Sequence, residues 1–201
     1  MRAGRPRLIV IAGPNGAGKT TVSSQILQGP LRVAEFVNAD VIARGLSAFN
    51  PDATAISAGR ILLTRLRELA SQHVSFAFET TLASKSFAPW IGDLVRAGYE
   101  FHLLYFWLDS PDLAVRRVRD RVALGGHAVP EERIRRRYYA GLRNFFELYQ
   151  PLAARWRLYD NSSRFYPRPV ASGMGSTAVR ISDLSTWVEI RRLAVHEGEK
   201  A

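Results

Sequence analysis

Apolar runs alternate along this chain with segments whose apolar residues recur every three or four positions. Strands of a parallel sheet are buried on both faces, whereas helices bury one stripe, so the alternation predicts an α/β fold: a doubly wound, mostly parallel sheet. Residues 8–12 read as a buried first strand and residues 13–18 as a loop. A helix follows over residues 20–27, stopped by Gly29-Pro30. Residues 35–38 form a short second strand that closes at Asp40. Asn50-Pro51-Asp52 starts a helix with Ile56, Leu63, Leu66 and Leu69 as its apolar stripe. Residues 75–78 are a strand ending at Glu79-Thr80-Thr81, and residues 87–97 a helix closed by Gly98. Residues 101–108 are almost wholly apolar and read as a central strand. Ser110-Pro111-Asp112 caps the next helix, which ends at Gly125-Gly126. Pro130-Glu131-Glu132 opens another, with Ile134, Tyr138, Leu142, Phe145 and Tyr149 on its core face. Residues 156–159 form a last main strand, after which the signal weakens; residues 177–181 read as an added strand and 187–195 as a closing helix.

A chain of 201 residues fits one such domain with a single core. The expected organisation is one domain over residues 1–201, with a lid at about 116–137 and an appendage at 164–201. No apolar run approaches the length of a membrane span. Arg2, Arg5 and Arg7 before an apolar stretch mimic a signal peptide, but that stretch is short and runs into glycines, so a cytoplasmic location is expected. The absence of cysteine excludes disulfides, thiolate metal sites and a cysteine nucleophile. Net charge is +10, and apart from Lys19, Lys85 and Lys200 every strong cation is arginine. The planar arginine fork suits phosphate, so either a polyphosphate substrate or a nucleic-acid backbone is a fitting partner.

Gly13-Pro14-Asn15-Gly16-Ala17-Gly18-Lys19-Thr20 matches G-x-x-x-x-G-K-[ST] in full, between an apolar strand and a helix, with Thr21 extending it. Backbone N–H groups of such a loop cradle phosphates, and the helix adds its positive end. ATP is the expected cofactor, with Lys19 reaching its β- and γ-phosphates and Thr20 ligating Mg²⁺. ABC transporter ATPases share this loop, but they need a downstream LSGGQ-type segment and an acidic pair after an apolar strand. Here the long strand ends in Asp109-Ser110 and no such segment follows, so transporter, motor and AAA-type ATPases are set aside.

Arg116, Arg117, Arg119 and Arg121 precede Gly125-Gly126-His127, and Arg135-Arg136-Arg137 follow it. A hinged arginine segment can close over a triphosphate, excluding water and stabilising charge. Arg117 and Arg121 share a helix face, and Arg137 adjoins the core-facing Tyr138; these three are the candidate catalytic arginines. His127 reads as a turn residue, and the other histidines lack metal-ligand spacing. Asp40, at a strand's carboxyl end, is the candidate base for an acceptor hydroxyl; a helix N-cap is its structural alternative. Glu79, Thr80 and Thr81 are candidate acceptor contacts, and Asp160-Asn161-Ser162 either approaches the nucleotide base or makes an Asx turn.

Together these residues resemble the zeta toxin family of P-loop kinases. The carriers are the phosphate loop, Phe36-Val37-Asn38-Ala39-Asp40, Phe78-Glu79-Thr80-Thr81, Arg121 with Gly125-Gly126-His127 and Val129-Pro130-Glu131, Arg136-Arg137-Tyr138, and Asp160-Asn161-Ser162. The resemblance implies ATP- and Mg²⁺-dependent phosphorylation of a nucleotide sugar, UDP-N-acetylglucosamine above all. It further implies Asp40 as base, Glu79 on the acceptor side and a small antitoxin as partner. The alternatives are another small-molecule or polynucleotide kinase, or a nucleotide-binding switch without phosphotransfer.

Overall fold

A computed structural model describes residues 5–28, 31, 33–47, 54–126, 128–163 and 165–196. The readings placed on Gly29-Pro30, Asn50-Pro51-Asp52 and His127 lie outside these residues. The phosphate-loop segment sits at the middle of a seven-stranded sheet. Its lead-in, β1 (Arg7–Ala12), pairs in parallel with β3 (Phe76–Thr80) on one side and β4 (Glu100–Trp107) on the other. Strand β2 (Glu35–Val37) pairs in parallel with β3, and β5 (Arg155–Asp160) with β4. Two antiparallel strands, β6 (Arg168–Met174) and β7 (Thr177–Ile181), extend the sheet to the order β2-β3-β1-β4-β5-β6-β7. The α/β, mostly parallel architecture expected from the apolar pattern is therefore the one observed.

Strand β1 is pinned from both sides. Leu8, Ile9, Val10 and Ile11 are all wholly buried, and burying each such side chain contributes about 1.5–3 kcal/mol. The loop that follows thus starts from one of the most firmly held points in the molecule. Helix α1 (Lys19–Gln28) leaves the loop, α2 (Ala39–Leu46) and α3 (Ala55–Ser71) link β2 to β3, and α4 (Phe87–Arg96) links β3 to β4. Helices α5 (Pro111–Ala123) and α6 (Glu131–Asn144) lie between β4 and β5. Ser110 caps α5 by accepting from the Leu113 N–H, as its sequence predicts. Ile134, Tyr138, Leu142, Phe145 and Tyr149 are all buried, so the core stripe read from the sequence of α6 holds, continuing through a π-helical turn at Phe145–Tyr149.

Two expectations need correction. The core stripe of α3 is Ala58, Leu62, Leu66 and Leu69; Ile56 is 74% exposed and Leu63 lies at the margin. Leu66 and Leu69 belong to both patterns, but the alternative stepping by four from Ala58 faces the sheet. Strand β6 was not foreseen, since Pro169 and Gly173 break up its strand pattern. Pro169 is tolerated near the strand's start, where the ladder is already irregular opposite Tyr159. The closing helix α7 (Leu184–His196) covers this end of the sheet by stacking Trp187 on Trp156, ring centroids 5.9 Å apart.

Candidate active site

The phosphate loop runs from the end of β1 into α1. Gly16 adopts φ +79°, and a Cβ there would meet the Ala114 carbonyl oxygen at 2.8 Å and Arg117 Cβ at 3.1 Å. Glycine is what lets α5 lie against the loop. Ala17 is buried, and its carbonyl accepts from Asn161 Nδ2 at 2.7 Å. Asn161 sits just beyond β5, so the strand's carboxyl end is fastened to the loop. Asp160 Oδ1 accepts from the Ser162 N–H, which makes the Asx turn foreseen as one alternative.

Lys19 Nζ donates to the carbonyls of Gly13 and Pro14 at 2.8 and 2.9 Å. Its stem keeps some surface while the ammonium lies inside the loop. Desolvation there lowers its pKa from 10.5 to about 8; Glu79 and Asp40 work against that shift, and Arg121 and Arg137 add to it. The same four charged residues, brought from β3, α2, α5 and α6, thus all act electrostatically on one ammonium group. These are the residues singled out in the sequence from four separate segments.

Glu79 is held from two sides. Thr20 Oγ1 donates to its Oε2 at 3.1 Å, and Ser23 Oγ lies 2.6 Å from its Oε1. Ser23 is wholly buried and also lies 2.6 Å from the Lys19 carbonyl oxygen. Sequence reasoning missed Ser23, since a serine one turn into a helix carries no signal of its own. Thr80 and Thr81 accept from the Leu82 and Ala83 N–H groups, shaping the turn after β3. Their hydroxyl protons stay available to an acceptor.

Asp40 does not close β2. It lies in the first turn of α2, and Asn38 is the cap, accepting from the Asp40 and Val41 N–H groups. The N-cap alternative therefore belongs to Asn38, two residues upstream, while the Asp40 carboxylate stays half-exposed. Arg121 Nη1 approaches Asp40 Oδ2 to 3.9 Å, an ion pair too long for a hydrogen bond. Arg137 is half-buried. Burial lowers its pKa first, then Arg133 and Arg136, while Asp40 raises it. Among the described residues its guanidinium has no hydrogen-bond or ion-pair partner.

Arg117 is placed differently from the expectation. Its guanidinium donates to the carbonyls of Asn161 and Ser162 at 2.8 Å each and of Ser163 at 3.2 Å. It clamps the segment after β5 and is not among the charges that act on Lys19. The two arginine-bearing helices are joined at the surface. Arg135 bonds Asp112 and Glu131, and Arg119 bonds Glu131. The bond from Arg135, and lesser contributions including Arg119, hold the Glu131 carboxyl below its ordinary range.

Thr20 and Glu79 set a hydroxyl and a carboxylate oxygen side by side. Mg²⁺ takes one or two protein oxygens and completes its shell with water and substrate phosphate, so this pair fits it. Among the described residues no helix is long and apolar enough to cross a membrane.

A Haemophilus influenzae protein described only as uncharacterized is 29% identical over 132 residues, 66% of this chain and 92% of its own. Among solved structures, the AvrRxo1-ORF1:AvrRxo1-ORF2 complex with sulphate ions superposes with a TM-score of 0.74 at 16% identity. That match covers 92% of this chain but only 63% of the other; the form with ATP gives 0.71. The PezAT chromosomal toxin-antitoxin system of Streptococcus pneumoniae gives 0.57 at 19% identity, covering 83% and 73% of the two chains. A gluconokinase from Sinorhizobium meliloti gives 0.51 at 14% identity over 100% and 99%. Likeness at these identities shows the fold, which is that of a P-loop kinase. A family match over residues 8–140 also overturns the setting-aside of AAA-type proteins. That exclusion rested on a missing LSGGQ-type segment and acidic pair, whereas the match runs from β1 through most of α6 and includes the long strand and Asp109. The chain belongs to the AAA domain family (AAA_33).

Proposed function

We propose that the protein is an ATP- and Mg²⁺-dependent kinase that phosphorylates a hydroxyl of a small anionic acceptor, with UDP-N-acetylglucosamine the leading candidate. The observation that carries this reading is the convergence of Lys19, Arg121 and Arg137 with Asp40 and Glu79 at the carboxyl ends of the central strands. A hydrolase needs a cradle and a water. Phosphoryl transfer to a chosen hydroxyl also needs a base on the acceptor side and cations that close from a separate segment.

The loop N–H groups and the start of α1 hold the triphosphate, and Lys19 exchanges its two carbonyl partners for β- and γ-oxygens. Thr20 and Glu79 would hold Mg²⁺, which when bound supplies charge neutralisation at those oxygens. Asp40 takes the acceptor's proton as its oxygen attacks the γ-phosphorus and the bond to the β–γ bridging oxygen breaks, releasing ADP. Arg121 and Arg137, on α5 and α6, stabilise the transferring group. Helices α5 and α6 act as the lid over residues 116–137, and Arg117 steadies the nucleotide-base side. The fold shared with an ATP-bound AvrRxo1 complex, a toxin-antitoxin system and a gluconokinase supports this class of reaction. The likeness to the toxin-antitoxin structure supports a toxin-like role with an antitoxin partner, and a cytoplasmic location is part of the proposal.

Asp40→Ala tests the assignment. Turnover should fall by about 10²–10⁴-fold, the usual contribution of a positioned base, while ATP affinity stays within about threefold. Retained turnover, or loss of ATP binding together with it, refutes Asp40 as the base.

A further inference from the structure

At the far end of the sheet from Asp40, one face of β5–β7 is covered and the other is not. Trp156 on β5 is packed under α7. Its neighbours along the strand, Arg155 and Arg157, point the opposite way and are exposed. Cross-strand register sets Arg157 opposite Ser172 and Ser172 opposite Arg180, so these three side chains form a row on that bare face. Among the described residues none of the guanidinium groups of Arg155, Arg157 and Arg180 has a hydrogen-bond or ion-pair partner. A cavity of about 300 Å³ opens in the row, lined by Arg157, Tyr159, Pro169, Ser172, Arg180 and Ser182 and free of carboxylates. Water-facing sheet surfaces ordinarily intersperse both signs, because like charges held together repel.

The β5–β6 connection beside this row carries a second feature. Phe165 and Tyr166 are 86% and 80% exposed. Large aromatic rings held out in water on the connection that leads from β5 to Pro169, which lines the cavity, add stacking surface to the phosphate forks of the row.

We propose that this face is a binding site for single-stranded nucleic acid. Arg155, Arg157 and Arg180 take backbone phosphates, and Phe165 and Tyr166 stack bases. Duplex is disfavoured, because paired bases offer no free face to the two rings. The arginine row lies at the opposite edge of the sheet from β2 and Asp40, and its three arginines are not among the charges that act on Lys19.

The test is fluorescence anisotropy of labelled 12-mers of oligo(U) and oligo(dT) with the full chain. Neutralising three phosphates predicts a fall in affinity of about 20-fold between 50 and 200 mM salt. Replacing Arg155, Arg157 and Arg180 together by Gln should weaken binding at least about tenfold and flatten the salt dependence. The pair Phe165→Ala and Tyr166→Ala should weaken it at least about fivefold with the salt slope unchanged. Lys19→Ala should bind as the unaltered chain does, which separates this site from the phosphate loop. Tighter binding of one 12-mer identifies RNA or DNA as the source. The proposal is overturned if the triple variant binds normally, if ATP displaces the oligomer, if a duplex of equal length binds as well, or if polyglutamate competes equally.

Discussion

Ser23 offers the sharpest test of how the Glu79 carboxylate is held. Its hydroxyl has one proton and two acceptors at 2.6 Å, Glu79 Oε1 and the Lys19 carbonyl oxygen. Ser23→Ala removes a charge-assisted hydrogen bond in a fully buried position, a loss of about 1.5–3 kcal/mol. Alanine returns roughly 0.5 kcal/mol of helix propensity, so the net destabilisation should be about 1–2.5 kcal/mol. For a chain of this length that lowers the melting temperature by roughly 2–10 °C. Function should change in a specific way. With Oε1 released, Glu79 no longer fixes Thr20, so the Mg²⁺ concentration for half-maximal rate should rise more than the KM for ATP. Urea unfolding and rate measurements across a Mg²⁺ titration read both effects. The cycle of Ser23→Ala, Glu79→Gln and the double variant isolates the pair, and a coupling of about 1 kcal/mol or more is expected. Additive effects, or an unchanged Mg²⁺ dependence, would show that Ser23 merely fills space.

Further outcomes follow from the same coordinates. Burial pushes the Lys19 ammonium down to about 8, and a triphosphate prefers the ammonium form, so ATP affinity should hold below pH 8 and fall up to about tenfold per pH unit above it. Because the unfolded chain keeps that proton up to about 10.5, the contribution of Lys19 to the stability of the nucleotide-free protein should grow from pH 8 to 10.5, opposed above about pH 10 by the buried tyrosines; affinity independent of pH from 7 to 9.5 contradicts the burial of this group. Gly141→Ala would put a Cβ 2.2 Å from the Thr81 carbonyl oxygen and push α6 off the turn that Asn144 Nδ2 holds through the carbonyls of Leu82 and Ala83. A loss of about 1–3 kcal/mol and a larger rise in acceptor KM than in ATP KM are expected, and wild-type values for both would refute the coupling of α6 to the acceptor side.

Sequence reached furthest where pattern and chemistry coincide. The phosphate loop is fixed by glycines and a lysine whose roles are backbone geometry and charge, both legible in one dimension. The buried run of β4 and the stripe from Ile134 to Tyr149 are periodicities that tertiary packing left intact. Asp40 was assigned to the wrong element, because Asn38 two residues earlier cuts β2 short and starts α2. Arg117 could not be told from Arg121 by spacing, since they share a helix face. What separates them is the loop after β5, which only the folded chain brings within reach of Arg117. Ser23 was illegible for the same reason, its partner lying 56 residues away. Strand β6 was hidden by a proline and glycine that an irregular antiparallel ladder accommodates.

The measurement closest to the central claim is ADP release by the purified protein with ATP and Mg²⁺, with and without UDP-N-acetylglucosamine, against Lys19→Ala as the blank. The account predicts release stimulated by the acceptor, a sugar nucleotide heavier by one phosphoryl group, and neither in the blank. ADP release equal in the two proteins, or ATP bound by the unaltered chain with no transfer to any hydroxyl acceptor, would contradict it.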